Sequence, residues 1–135
     1  MARHRKIVLD SWPVMAYLQG GTAAKQVIEV IAEAHDDGHE LLMSVVNAGE
    51  VWYSVAKRTD PKRADEAIDL LRSLGIKFVN VDWPTTKIAA SYKVRGGISY
   101  ADCFAAALAR ESKAVLITGD KEFEQLNNEI SIVWL

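Results

Sequence analysis

Short apolar runs rich in β-branched residues alternate along this chain with segments of helical periodicity, and that alternation limits the fold more than any other feature. Strands that run parallel need a crossover between them, and a helix is the usual crossover. The strand-like runs fall at 6–10, 40–45, 76–81, 114–118 and 131–134. Between them lie helical segments at 12–19, 24–37, 48–58, 61–74, 85–94 and 100–111, with a shorter one at 121–126. The punctuation agrees. Pro13 and Pro61 suit first helical turns, with Asp60 as the cap before Pro61. Gly20-Gly21, Gly38, Gly75 and Arg95-Gly96-Gly97 suit helix ends. The segment 24–37 puts Val27, Ile28, Ile31 and Ala34 on one face, and 61–74 turns Ala64, Ala67, Ile68 and Leu71 inward. Trp52 and Trp134 read as core, and Trp83 precedes a helix. The expectation is an α/β fold: a three-layer α/β/α sandwich around a central parallel sheet of about five strands.

At 135 residues the chain suits one domain, 1–135, and a half-hydrophobic composition suffices for its core. Cys103, the one cysteine, sits in the apolar stretch 100–111 and reads as a buried structural thiol. The chain reads as cytoplasmic, with no signal peptide and no apolar stretch of membrane-spanning length. The net charge of −2 conceals an asymmetry. Four acids recur where a strand ends or a helix begins: Asp10, Glu50, Asp102 and Asp120. In an open parallel sheet such places converge on one crevice beyond the carboxyl ends of the strands. Four carboxylates gathered there repel one another unless a cation lies between them, and Mg²⁺ or Mn²⁺ suits hard oxygen ligands. The rest of the molecule is then mildly basic, which suits a polyanion held near metal.

Each acid also has a plain structural explanation. Asp10 and Asp120 stand where helix caps stand, and Asn47-Ala48-Gly49-Glu50 and Ser99-Tyr100-Ala101-Asp102 fit capping boxes. Capping alone leaves unexplained why the acids follow apolar strands, and why Gly119 precedes Asp120. His35 and His39 stand four apart, but Gly38 ends the helix between them, which argues against a shared metal.

Taken together, these pieces resemble PIN-domain ribonucleases, most closely the small VapC-type toxins of toxin–antitoxin pairs. The matching pieces are Val8-Leu9-Asp10-Ser11, Ala16-Tyr17-Leu18, Asn47-x-x-Glu50-Val51, Ser99-x-x-Asp102 with its Ala-rich sequel, and Leu116-Ile117-Thr118-Gly119-Asp120-Lys121-x-Phe123. They extend from about Val8 to the C-terminus. Trp12 and Pro13 depart from the usual small or aliphatic residues, and Asn47 is not a strongly expected residue. The resemblance implies Mg²⁺-dependent cleavage of RNA phosphodiesters by metal-activated water, with Mn²⁺ able to substitute. It places the catalytic acids at Asp10, Glu50, Asp102 and Asp120, with Asp10 and Asp102 as direct ligands, Glu50 and Asp120 direct or through water, and Ser11 and Thr118 supporting.

Candidate RNA contacts are Lys93, Arg95, Lys121 and the Trp12 ring, while Tyr100 flanks a site acid. Lys57, Arg58, Lys62 and Arg63 read as a solvated face, and Arg3-His4-Arg5-Lys6 as a basic segment that either steers RNA or frays. The resemblance also implies a homodimer and an antitoxin covering the crevice, with segments 12–19 and 24–37 as candidate contact surfaces. Other readings are an RNA-processing nuclease of the same fold, a non-catalytic RNA-binding module, or a phosphate-receiving signalling domain. The last needs paired acids that Asp10 lacks and has no use for Glu50.

Overall fold

A computed structural model describes residues 5–135, so Arg3 and His4 of the basic segment lie outside the described residues. The chain runs β1 (Lys6–Leu9), α1 (Ser11–Gln19), α2 (Thr22–Asp37), β2 (Glu40–Ser44), α3 (Val45–Arg58) and α4 (Pro61–Ser73). It continues through β3 (Ile76–Val79), α5 (Trp83–Val94), α6 (Tyr100–Ser112), β4 (Val115–Thr118), a 3-10 helix (Lys121–Leu126) and β5 (Ser131–Trp134). Every strand pairing is parallel, in the order β3-β2-β1-β4-β5. The expected three-layer α/β/α sandwich is present.

The sheet's two faces follow the strand period of two. Ile7, Leu9, Leu41 and Met43 pack on one side with Val14, Val27, Val51 and Leu71 from α1 to α4. Val8, Leu42 and Leu116 pack on the other with Tyr92, Phe104, Leu108 and Phe123, and buried Cys103 belongs to that cluster. Burial drives the Cys103 thiol pKa up to about 11, which suits a structural thiol.

The strand order also decides where a site can form. The chain builds outward from β1 through β2 to β3, then crosses back to lay β4 on the other side of β1. The direction therefore reverses between β1 and β4, where Leu9 stands beside Ile117. Crevices in open α/β sheets open beyond the carboxyl ends of the strands at such a reversal.

Four sequence expectations fail, wholly or in part. Helix α3 starts at Val45, because the Ser44 hydroxyl accepts from the Val46 N–H, so Asn47 lies inside the helix and the Asn47–Glu50 capping box does not exist. Ile28 is 51% exposed, since one residue beyond Val27 rotates 100° off the stripe of Val27, Ile31 and Ala34. Trp134 is 39% exposed, because β5 is an edge strand whose outer residues lack a covering helix. Trp52 is only partly buried, its indole N–H donating to Asp65 Oδ1 at 2.9 Å. Gly38, with φ 71°, terminates α2 as expected. His35 Nε2 then donates to the Leu74 carbonyl, while His39 Nδ1 accepts from the Arg5 N–H. The two imidazoles thus serve different backbone groups. No helix among the described residues is long and apolar enough to cross a membrane.

Candidate metal centre

Asp10 follows β1 directly, at the N-cap position of α1 with an extended backbone. A capping aspartate accepts a hydrogen bond from the first helical turn, but Asp10 makes no such bond. Its carboxylate is fully buried, and neither oxygen has a hydrogen-bond partner. Burial pushes its pKa from 3.8 to about 7. The Thr118 hydroxyl and the Trp12 amide pull the other way, though neither meets an Asp10 oxygen at bonding geometry, and Asp120 adds repulsion. Capping does not account for this residue.

Asp102 enters from the opposite layer. Ser99 caps α6, its hydroxyl accepting from the Asp102 N–H at 3.2 Å. That is half of a capping box; the Asp102 carboxyl joins the acid cluster. Asp102 is buried, and its pKa rises to about 9, through desolvation first and then through the neighbouring carboxyls of Glu122, Asp120 and Asp10. Asp120 does two jobs. It caps the 3-10 helix, Oδ1 accepting from the Glu122 N–H at 3.0 Å, while buried Thr118 accepts from the Asp120 N–H at 3.0 Å. Oxygens of Asp10, Asp102 and Asp120 lie within 4.8 Å of one another. A divalent ion bridges such a span with oxygen ligands on its two sides, so the trio can hold a metal.

Glu50 lies outside that trio but is wired to it. Buried Asn47 donates through Nδ2 to Glu50 Oε1 at 3.2 Å and to the Ala101 carbonyl at 3.1 Å, next to Asp102. Asn47, unexpected from its position in the sequence, is therefore the strut between α3 and the start of α6. Ser11 is the first residue of α1 and lines a cavity of about 530 Å³ with Trp12, Arg58 and Asp120. Gly119 is explained by Trp12: a Cβ there would meet indole carbons at 2.5 Å, so only glycine lets the ring come this close to that turn.

The expected RNA contacts are distributed unevenly. Lys93 Nζ donates to the Ile98 carbonyl at 2.8 Å, clamping the loop before Ser99. The Arg95 guanidinium is paired with Glu129 and lies over the Tyr92 ring. Lys121 is exposed beside Asp120. Two features were not singled out from sequence. Glu122 crowds Asp102, and its signal was the acid two residues after Asp120 on the same loop. Arg58, placed on a solvated face, also lines the crevice cavity, and no local pattern marks it.

The fold and the acid cluster define a class: a parallel α/β/α domain with a carboxylate-lined cleft at its chain reversal. The chain belongs to the PIN domain family, whose sequence profile matches residues 7–129. No curated protein sequence matches it. Among solved structures, VapC20 of Mycobacterium tuberculosis, described as a sarcin-ricin loop cleaving toxin, superposes with TM-score 0.74 at 17% identity, covering 96% of this chain and 99% of that one. The DNA-bound VapBC of Salmonella typhimurium gives TM-score 0.74 at 18% identity, with 96% and 97% covered. FitAB bound to a DNA fragment gives 0.65 at 22%, with 94% and 93% covered. Membership in this family sets aside the phosphate-receiving alternative.

Proposed function

We propose that this protein is a Mg²⁺-dependent endoribonuclease, the toxin of a toxin–antitoxin pair, in which Mn²⁺ substitutes for Mg²⁺. The observation that carries the reading is Asp10: a fully buried carboxylate with two unpartnered oxygens, beside Asp102 and Asp120. A buried, unpaired charge is costly, and a divalent ion relieves that cost. The likeness in fold to VapC20 and to VapBC complexes supports RNA as substrate and an antitoxin as partner.

Asp10 and Asp102 hold the ion directly, and Glu50 and Asp120 directly or through water. A bound divalent ion acidifies water and neutralises charge at the phosphate. The chain supplies the frame. Thr118 fixes the turn that aims Asp120, Asn47 fixes Glu50 against α6, and Ser11 orients polar groups at the mouth of the crevice. Burial favours the protonated forms of Asp10 and Asp102, so holding a divalent ion there would require them to give up protons. Residues 1–135 act as one unit in the cytoplasm. An apolar groove of about 340 Å³ between α1, α3 and α4, with Leu18, Val55 and Leu70, supports antitoxin docking. Trp83 (69% exposed) and Val94 (87% exposed) on α5 support self-association.

The test is cleavage of defined RNAs with Mg²⁺ or Mn²⁺ by wild type and Asp102→Ala. Cleavage should vanish in the variant and in chelator; activity that survives both overturns the proposal. A neighbouring antitoxin gene and growth arrest on expression separate a toxin from an RNA-processing nuclease.

A further inference from the structure

The acid cluster poses a problem of approach. A crevice lined by Asp10, Asp102, Asp120 and Glu122 offers acceptors but no cation to the phosphates of an RNA that reaches it. Two cations expected to counter this, Lys93 and Arg95, are held by Ile98 and by Glu129. The wall facing the cluster is built differently. Beside Asp120 lies a cavity of about 530 Å³, within the size range of small-ligand sites. Ser11 and Trp12 of α1, Thr22 of α2, and Ser54 and Arg58 of α3 line it. The hydroxyls offer hydrogen bonds, and the indole offers a flat apolar face. The guanidinium of Arg58, in the last turn of α3, forms no hydrogen bond or ion pair with any other described residue. Trp12 is immobilised: its ring rests on Gly119, where even a methyl group has no room. A rigid ring loses little entropy when something stacks on it.

Resting on the nuclease reading, we propose that this cavity is a nucleotide subsite for single-stranded RNA next to the cleaved phosphodiester, with Arg58 gripping a backbone phosphate and Trp12 stacking on a base. Arginine suits that task because its planar fork matches phosphate oxygens. Stacking on an aromatic ring suits unpaired bases, because every base has a π-face. The subsite spans three helices, so it exists only in the folded chain. It separates roles within the crevice: the carboxylates serve chemistry, and the α1–α3 wall serves grip and base preference.

The experiment compares wild type with Arg58→Gln, Arg58→Lys, Trp12→Leu and Trp12→Phe. Two readouts are used: cleavage of a single-stranded oligoribonucleotide with Mn²⁺, and metal-free binding of the same fluorescein-labelled strand by anisotropy. Arg58→Gln should raise KM and Kd about tenfold with kcat unchanged, and lower the slope of log Kd against log salt by about one. Arg58→Lys should recover part of the loss, since it keeps the charge without the fork. Trp12→Leu should raise Kd about tenfold or more and flatten base preference, while Trp12→Phe should retain both. Unchanged Kd and salt slope in Arg58→Gln overturn the subsite. If wild type cleaves no RNA, the nuclease reading fails by itself, and the binding measurement still decides the subsite.

Discussion

Two aspartates of this protein stand at the same kind of position with opposite outcomes. Asp82 caps α5 and Asp10 stands at the cap of α1, each on extended backbone before a helix with proline in its first turn. Asp82 is on the surface, accepts from the Thr85 N–H at 3.0 Å, and has its pKa lowered by that bond. Asp10 is sealed beneath α1, accepts from nothing, and has its pKa raised to about 7 by burial. Local sequence specifies a cap in both cases. What differs is the strand before it: β1 is the central strand of the sheet and delivers Asp10 into the reversal point, whereas β3 is an edge strand and delivers its loop to solvent.

The largest effect expected from this contrast is on activity. Asp102→Asn or Asp10→Asn should lower cleavage by on the order of 10³-fold, while Asp82→Asn leaves it unchanged. Comparable losses in all three would erase the distinction between the two regions.

The next effect is in pH. Asp10 and Asp102 have folded-state pKa values of about 7 and about 9, above the ordinary 3.8. The metal-free native state therefore binds more protons than the unfolded chain. Their contribution is complete below about pH 4 and is lost as pH rises through about 7 and about 9. In chelator, stability should fall from pH 5 to pH 9, and Asp10→Asn should flatten part of that fall. Divalent metal should restore it, with the greatest gain at alkaline pH. Asp82 has the opposite sign: its contribution is present above 3.8 and is lost as pH falls through its lowered value. Thermal melts across pH in chelator and in Mn²⁺ read all of this; a metal-free protein that gains stability above neutrality contradicts it.

Gly119→Ala should cost about 1–3 kcal/mol, since the added methyl meets the Trp12 ring. The same change in a Trp12→Leu background should cost much less, and an equal cost in both would show that the ring is not the obstacle. The smallest effect belongs to another exposed cap, Asp60, which accepts from the Arg63 N–H at 2.8 Å. Asp60→Ala should cost about 1 kcal/mol in chemical denaturation and nothing in cleavage or metal binding.

The contrast also explains what could be read in the sequence. Strands and helices were legible because their periodicities and stop signals are local, as at Asp60-Pro61, Gly38 and Gly75. The three clustered acids were legible because parallel topology sends strand ends to one side. Less visible was anything set by packing between layers. Val45 reads as the end of a strand until the Ser44 hydroxyl claims the Val46 N–H and starts α3. Ile28 and Trp134 are apolar but face outward, because no neighbouring layer reaches them. Lys93 and Arg95 look like free cations in sequence, and only folding brings them to Ile98 and Glu129. Asn47 gained its purpose only when α3 was set beside α6.

The place of β1 between β2 and β4 has a consequence for synthesis. Asp10 leaves the ribosome early, but the strand that completes its side of the cleft is β4, and Asp120 follows later still. A nascent chain therefore carries no assembled cluster until nearly all of the sheet has been made. Whatever chemistry the three carboxylates perform therefore begins only after the last strands have joined the sheet.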